Sequence, residues 1–435
     1  GLALFLYGMD KMGEGLKKLS GSKLEQILGK LTSNKVMGFL LGFAVTAIIQ
    51  SSSATTVMLV GFVNSGIMKL AQSISVIMGA NIGTTVTSWL LSTTDISGTS
   101  FLLKMLKPES FTPVLMVAGV IITMVTSSDK KKNFAEILIG FSVLIFGMEM
   151  MSDSMAGLKN NPSFQNILLM FSNPIMGILV GTILTAIIQS SSASIGILQA
   201  LAATGTIPFS TAIPIILGMN IGTTITPILS SINGNTDAKR VAISCLYIKM
   251  IGVIIVSVIF YIWNAVVPFE FMPIAVSAFT IAIVHTTFNI LSTVILFPFC
   301  KAFEVLAMKT IRGKKDETTD VFDTLDDRFL TVPSFAVEKC RELANEMATK
   351  AKDSFFEAIS LLNSYDKELE RKIVESESLI DRYEDKIGSY LIKIAGKETS
   401  EKESQEVSQL LHVIGDNERI SDHRVNVMEA AAEIN

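Results

Sequence analysis

A nine-residue stretch, Thr46-Ala47-Ile48-Ile49-Gln50-Ser51-Ser52-Ser53-Ala54, returns unchanged 139 positions later as Thr185-Ala186-Ile187-Ile188-Gln189-Ser190-Ser191-Ser192-Ala193. The same offset carries Asn81-Ile82-Gly83-Thr84-Thr85 onto Asn220-Ile221-Gly222-Thr223-Thr224, and Gly8-Met9-Asp10 onto Gly147-Met148-Glu149, with no insertion between them. The chain is a duplicated unit, so its fold uses one polar pattern twice. These polar islands interrupt apolar sequence. Of the 435 residues, 49% are hydrophobic, the mean hydropathy is +0.50, and the runs 241–267 and 273–299 are long enough to cross a bilayer. The expectation is an all-α membrane protein.

Charge sets the expected orientation. Lys11, Lys17, Lys18, Lys23, Lys30 and Lys35 fall within residues 10–35, whereas the matching stretch of the second copy, 149–174, carries only Lys159. Positive charge is retained on the cytoplasmic side, so the first stretch reads as an inner loop and its twin as an outer one. The two copies then have opposite orientation, the arrangement of an inverted-repeat transporter. Lys130-Lys131-Lys132 marks another inner turn, followed by one span over 134–151.

Each copy holds an apolar segment ending in Gln-Ser-Ser-Ser-Ala, a second apolar segment, and a third interrupted by Asn-Ile-Gly-Thr-Thr. Non-helical backbone at membrane depth is tolerated only where protein buries it or water reaches it. The first two segments therefore read as a re-entrant hairpin with the serines at its tip. The third reads as a crossing helix broken near Gly83 or Gly222.

Lys301, Lys309, Arg312, Lys314 and Lys315 follow the last span and should hold its end in the cytoplasm. Beyond them the pattern is that of soluble helix: Leu343, Met347, Phe355, Ile359 and Leu362 recur at helical spacing after Pro333. Breaks at 363–366 and 396–400 imply a cytoplasmic three-helix bundle. The expected boundaries are a first transmembrane repeat over 1–139, a second, inverted repeat with the final spans over 140–300, a basic linker over 301–331, and a helical domain over 332–435. The first apolar run is too short to span, so the first membrane helix is expected to be truncated, and the short bundle suggests the same of the other end.

Cys245, Cys300 and Cys340 suggest neither a disulfide framework nor a metal knuckle. No Gly-x-x-x-x-Gly-Lys-Ser/Thr is present, so an ATP site is not expected. The polar islands suit binding instead. A Gln-Ser-Ser-Ser tip where a helix begins offers hydroxyls, a carboxamide, unpaired backbone N–H groups and the positive end of the helix dipole. Two such tips brought together would surround a small tetrahedral oxyanion such as phosphate or sulfate. The broken segments supply the complement: carbonyl, amide and threonine oxygens suited to a sodium ion. Ser, Thr, Gly and Asn also serve close packing between membrane helices, but a verbatim cluster repeated at constant offset favours a site.

Gln-Ser-Ser-Ser-Ala in duplicate, each followed by Gly-x-Asn-Ile-Gly-Thr-Thr (79–85 and 218–224), resembles the type II sodium/phosphate cotransporter family in its bacterial form, with a PhoU-like domain. The resemblance covers essentially the whole chain. It implies sodium-driven import of inorganic phosphate by alternating access across the bacterial cytoplasmic (inner) membrane, with no enzymatic step and with the C-terminal domain in the cytoplasm. Gln50, Ser51, Ser52, Ser53, Gln189, Ser190, Ser191 and Ser192 would lie at phosphate. Thr55, Asn81, Thr84, Thr85, Asn220, Thr223 and Thr224 would lie near sodium, the coupling ion. Inorganic phosphate, the lipid bilayer and a second copy in a homodimer are the expected partners, and nucleic acid is not. A membrane-anchored phosphate sensor signalling through the bundle, or a cotransporter of another oxyanion, remains as an alternative.

The family usually shows His-x-x-Phe-Asn early in the span after the second copy, where this chain has Cys245-Leu246-Tyr247-Ile248-Lys249. His285-Thr286-Thr287-Phe288-Asn289, in the last span, does match the second such motif. Lys249 lies nine residues beyond Arg240, roughly 13 Å along a helix rising ~1.5 Å per residue. Either the helix starts lower and leaves Lys249 near the surface, or its ammonium is a tethered cation that replaces a sodium ion or pairs with phosphate. His285 reads as a core histidine satisfied by a neighbouring hydroxyl.

In the bundle, Glu377 with Asp381 and Glu418 with Asp422 are pairs at i and i+4, each on one helix face. Such pairs are usually solvated surface. The stretch 416–426 resembles the PhoU signature, which implies a divalent or iron ion held by these carboxylates.

Overall fold

The computed structural model describes residues 1–20, 34–95, 108–157, 161, 163, 170–313, 320–397 and 399–434. Lys23, Lys30, Lys159, Lys314, Lys315 and Glu398 lie outside them. The described chain is helical and separates into two compact units, 1–317 and 318–435.

The first unit opens with α1 (Leu2–Ser20), followed by α2 (Lys35–Ile49), α3 (Ser52–Asn64), α4 (Leu70–Gly83), α5 (Thr85–Ser92), α6 (Pro108–Val125) and α7 (Asp129–Ala156). It continues through α8 (Pro174–Ile188), α9 (Ser191–Ala202), α10 (Phe209–Gly222), α11 (Ile225–Ser231), α12 (Thr236–Val266), α13 (Ala278–Leu296) and α14 (Cys300–Thr310). The basic stretch read as a loop is thus helical as far as Ser20, where Lys18 pairs with Glu136 of α7 at 3.1 Å.

Among the described residues, five segments are long and apolar enough to cross a membrane: Leu70–Ser92, Asp129–Met155, Phe209–Ser231, Thr236–Val266 and Ala278–Thr310. The protein is an all-α membrane protein. Helices α2, α3, α8 and α9 are shorter, at 15, 13, 15 and 12 residues. At ~1.5 Å per residue each reaches roughly 18–22 Å, less than the ~30 Å hydrocarbon core. They form two hairpins, α2–α3 and α8–α9, whose ends meet inside the unit.

Glycines let the hairpins seat. A Cβ on Gly42 of α2 would overlap the carbonyl oxygen of Val76, and one on Gly79 of α4 that of Phe39. The second copy repeats this with Gly181 against Ile215 and Gly218 against Ile178. Backbone-to-backbone approach of this kind needs small residues. The copies also interlock, since α5 packs on α9 and α11 on α3, while α13 covers α5 and α12 covers α3.

The second unit holds α15 (Pro333–Leu361), α16 (Lys367–Ala395) and α17 (Glu401–Ile434), a three-helix bundle. Of the stretch expected to be a linker, 301–310 is helical within the first unit. Residues 321–324 and 327–331 form 3-10 turns folded onto the second. There Phe322 meets Tyr383 edge-on with ring centroids 4.8 Å apart, and the Tyr390 hydroxyl donates to the Asp326 carbonyl at 2.6 Å.

Candidate functional site

Both hairpin tips are built alike. Gln50 and Gln189 each adopt φ of 60°, the only non-glycine residues with positive φ among those described. Each closes its helix by donating its backbone N–H to Thr46 O (2.8 Å) or Thr185 O (2.7 Å). A left-handed glutamine costs backbone strain that a glycine would avoid, and such strain concentrates at functional positions. The next serine starts the return helix: Ser51 Oγ accepts from Ala54 N at 3.1 Å, and Ser190 Oγ from Ala193 N at 3.2 Å. These two hydroxyls are N-caps, which leaves the hydroxyls of Ser52, Ser53, Ser191 and Ser192 in the first turns, where Ser52, Ser191 and Ser192 are buried and Ser53 is half-buried.

The tips adjoin each other. Ser53 Oγ donates to Gln189 O at 3.2 Å, and Thr84 Oγ1 lies 3.4 Å from Ser191 Oγ, so the helix break of one copy meets the tip of the other. At the breaks, threonines answer the freed carbonyls. Thr85 Oγ1 donates to Ile82 O (2.8 Å), Thr224 Oγ1 to Ile221 O (2.8 Å) and Thr223 Oγ1 to Asn220 O (2.6 Å). A hydroxyl spent in this way keeps its lone pairs, which is the half a cation uses. Thr55 is fully buried, with its Oγ1 3.0 Å from Thr46 Oγ1. Asn81 and Asn220 are buried, and the Asn220 amide donates to Ile216 O at 2.9 Å.

The two copies are not equivalent in detail. Gln50 is held by Thr87, whose Oγ1 donates to Gln50 Oε1 at 2.7 Å, and its own amide donates to Ala47 O at 2.6 Å. In the second copy Gln189 is exposed, and the hydroxyl of Thr226, the counterpart of Thr87, has no partner. Thr46 is bonded to Thr55, whereas its counterpart Thr185 is buried with an unpartnered hydroxyl. One tip is fastened and the other is loose.

Lys249 is placed against this site. Helix α12 does begin lower than expected, at Thr236, yet the lysine is buried at 5% exposure and its Nζ donates to Thr223 Oγ1 at 2.6 Å. The surface position is therefore corrected: the side chain faces protein. His285 is buried, with Nδ1 2.8 Å from Ser88 Oγ, as expected of a satisfied core histidine. Sequence reading missed Gln199, whose Nε2 donates to Ser88 O (3.0 Å) and Ala278 O (2.9 Å) while its buried Oε1 is unpartnered. It borders a cavity of about 370 Å³ that Glu149, Ser152, Asp153 and Ser277 also line. A lone buried glutamine in an apolar helix was its only signal.

The four carboxylates expected to hold a metal, Glu377, Asp381, Glu418 and Asp422, all lie in the second unit. Among the described residues no group of three or more His, Cys, Asp or Glu could hold an ion. The cation among these carboxylates is Arg424, fully buried, with Glu377, Glu357, Asp381 and Asp422 acting on it. Its Nη1 donates to Ser376 Oγ at 3.1 Å and its Nη2 to Ser421 Oγ at 2.8 Å.

Burial, then Asp422 and Glu384 beside it, raise the Glu418 carboxyl above its ordinary 4.5. A folded value raised above the unfolded one gives stability present below pH 4.5 and lost as pH rises through the folded value. Glu418→Gln should therefore slow amide exchange in α17 at pH 8 relative to the parent, with the difference vanishing in acid. Hydrogen exchange at the two pH values checks this; a variant that exchanges faster at pH 8 would contradict it.

Comparison with known proteins follows the same division. The Na+/Pi-cotransporter family model matches residues 4–153 and again 143–291, and the PhoU domain model matches 344–431. A protein of Escherichia coli named putative inorganic phosphate export protein YjbB is 23% identical over 423 residues, covering 97% of this chain and 75% of its own length. The uncharacterized protein YqeW of Bacillus subtilis is 29% identical over 59% of this chain and 79% of its own. The rat sodium-dependent phosphate transport protein 2A is 36% identical over 94 residues, 21% of this chain and 15% of its own. No solved structure matches.

Proposed function

The chain belongs to the Na+/Pi-cotransporter family, and from that premise we propose that it carries inorganic phosphate across the cytoplasmic membrane together with sodium, by alternating access. The observation that carries this reading is the meeting of two serine-capped helix N-termini, from two copies of one sequence, inside a membrane unit. Helix N-termini and hydroxyls bind the oxyanion without any arginine. Gln50, Ser52, Ser53, Gln189, Ser191 and Ser192 form the phosphate site, with Ser51 and Ser190 as its caps. The oxygens of Thr55, Asn81, Thr84 and Thr85 take sodium next to it, and those of Asn220, Thr223 and Thr224 form the matching place for a positive charge in the second copy.

Each ligand strengthens the binding of the other: sodium lowers the cost of bringing a multiply charged anion out of water, and phosphate returns the favour. The fastened Gln50 and the loose Gln189 fit a carrier at rest in one of two states, and inverted copies would exchange these roles as the site turns to the other side. The PhoU domain, on the cytoplasmic side, restrains or reports that flux.

A symporter runs in the direction its combined gradients set, which is inward under an inward sodium gradient. The export named for YjbB makes outward flux the second reading. Counterflow in proteoliposomes tests carriage itself. Labelled phosphate should accumulate transiently in vesicles preloaded with unlabelled phosphate, and an excess of external sulfate should not prevent it. Binding without counterflow would instead identify a sensor, and a block by sulfate would change the substrate.

A further inference from the structure

Duplication supplies an internal control for every residue of the site. Thr84 and Thr223 are the same residue of the two copies, at the same helix break. Thr84 faces a neutral group, with its Oγ1 3.4 Å from Ser191 Oγ. Thr223 faces a cation: its Oγ1 donates to Asn220 O at 2.6 Å and accepts from Lys249 Nζ at 2.6 Å. The ammonium thus takes the oxygen lone pair that a metal cation would take.

Two further observations bear on Lys249. It is 5% exposed, and no carboxylate pairs with it among the described residues. An ammonium buried within a membrane unit is expensive unless an anion shares its surroundings.

We infer that the Lys249 ammonium is a tethered counter-cation: at the helix break of the second copy it supplies the positive charge that at the break of the first copy comes from a bound sodium ion. Phosphate then crosses with one sodium ion fewer than two equivalent breaks would require, since the lysine turns with the protein and is not carried. The inference rests on the sodium-coupled reading above.

The test is made on the full chain in proteoliposomes, with Lys249→Asn and Lys249→Gln beside the parent. Sodium activation of phosphate uptake is measured together with the charge moved per phosphate under a clamped potential. The sodium-to-phosphate ratio and the charge per phosphate should each rise by about one in the variants. Unchanged ratios in variants that still transport would overturn the inference. If the variants fold but do not transport, equilibrium binding of inorganic phosphate in sodium-free choline chloride decides. The parent should bind, and the variants should bind about 10-fold more weakly or worse, as for a lost hydrogen bond to a charged group; equal binding overturns it. If the variants do not fold, the parent alone decides, and absence of sodium-free phosphate binding overturns it. Parent uptake that ignores sodium would instead remove the cotransport reading, a separate result.

Discussion

Replacing Ser52 or Ser191 by alanine is expected to lower phosphate transport about 10- to 100-fold while leaving the amount of folded protein unchanged, the loss of one hydroxyl on a desolvated anion being worth ~1.5–3 kcal/mol. Each serine is the first residue of a return helix and is buried. Neither is an N-cap, because Ser51 and Ser190 hold that place, so alanine keeps the cap and favours the helix. Ser51→Ala and Ser190→Ala should behave differently. Removing an N-cap typically costs ~1 kcal/mol of stability, so thermal stability in detergent falls along with transport. Transport by Ser52→Ala and Ser191→Ala at the parental rate would remove the two tips from the site.

The second large effect concerns assembly. Gly79→Leu and Gly218→Leu should each leave little folded protein, as seen by size-exclusion chromatography and thermal melting. At these positions the obstacle is a backbone carbonyl, that of Phe39 or Ile178, and not a side chain that can swing aside. Overpacking in general costs about 1–3 kcal/mol; here an entire helix pair, α2 on α4 or α8 on α10, would have to separate. Even Gly→Ala should lower the melting temperature at both sites. A Leu variant that melts like the parent would show that the hairpins are not seated through these glycines.

These two predictions also mark what the sequence disclosed. The hairpins were legible because Gln-Ser-Ser-Ser can satisfy backbone groups only as a turn and a cap inside apolar sequence, and because the same words occur twice. The helix breaks were legible at Gly83 and Gly222 for the same reason. The seating glycines were not: Gly79 and Gly218 stood in the motif as mere spacers, and close approach depends on a helix that lies elsewhere in the chain. The difference between the copies was equally hidden, since identical residues cannot reveal that Gln50 is bonded to Thr87 while Gln189 is exposed.

Lys249 was noticed as a charge in an apolar run, but its partner Thr223 needed the fold. For the carboxylates of the bundle, i and i+4 spacing describes one helix face and says nothing of what packs against it. Arg424, two residues after Asp422, is buried among them, which the spacing could not reveal.

The most direct measurement of the central claim is labelled phosphate uptake by the full chain in proteoliposomes, under an inward sodium gradient and under an equal potassium gradient. The proposed sodium-coupled carriage predicts accumulation above the external phosphate concentration with sodium and only equilibration, or none, with potassium. Equal uptake in the two gradients would contradict the account.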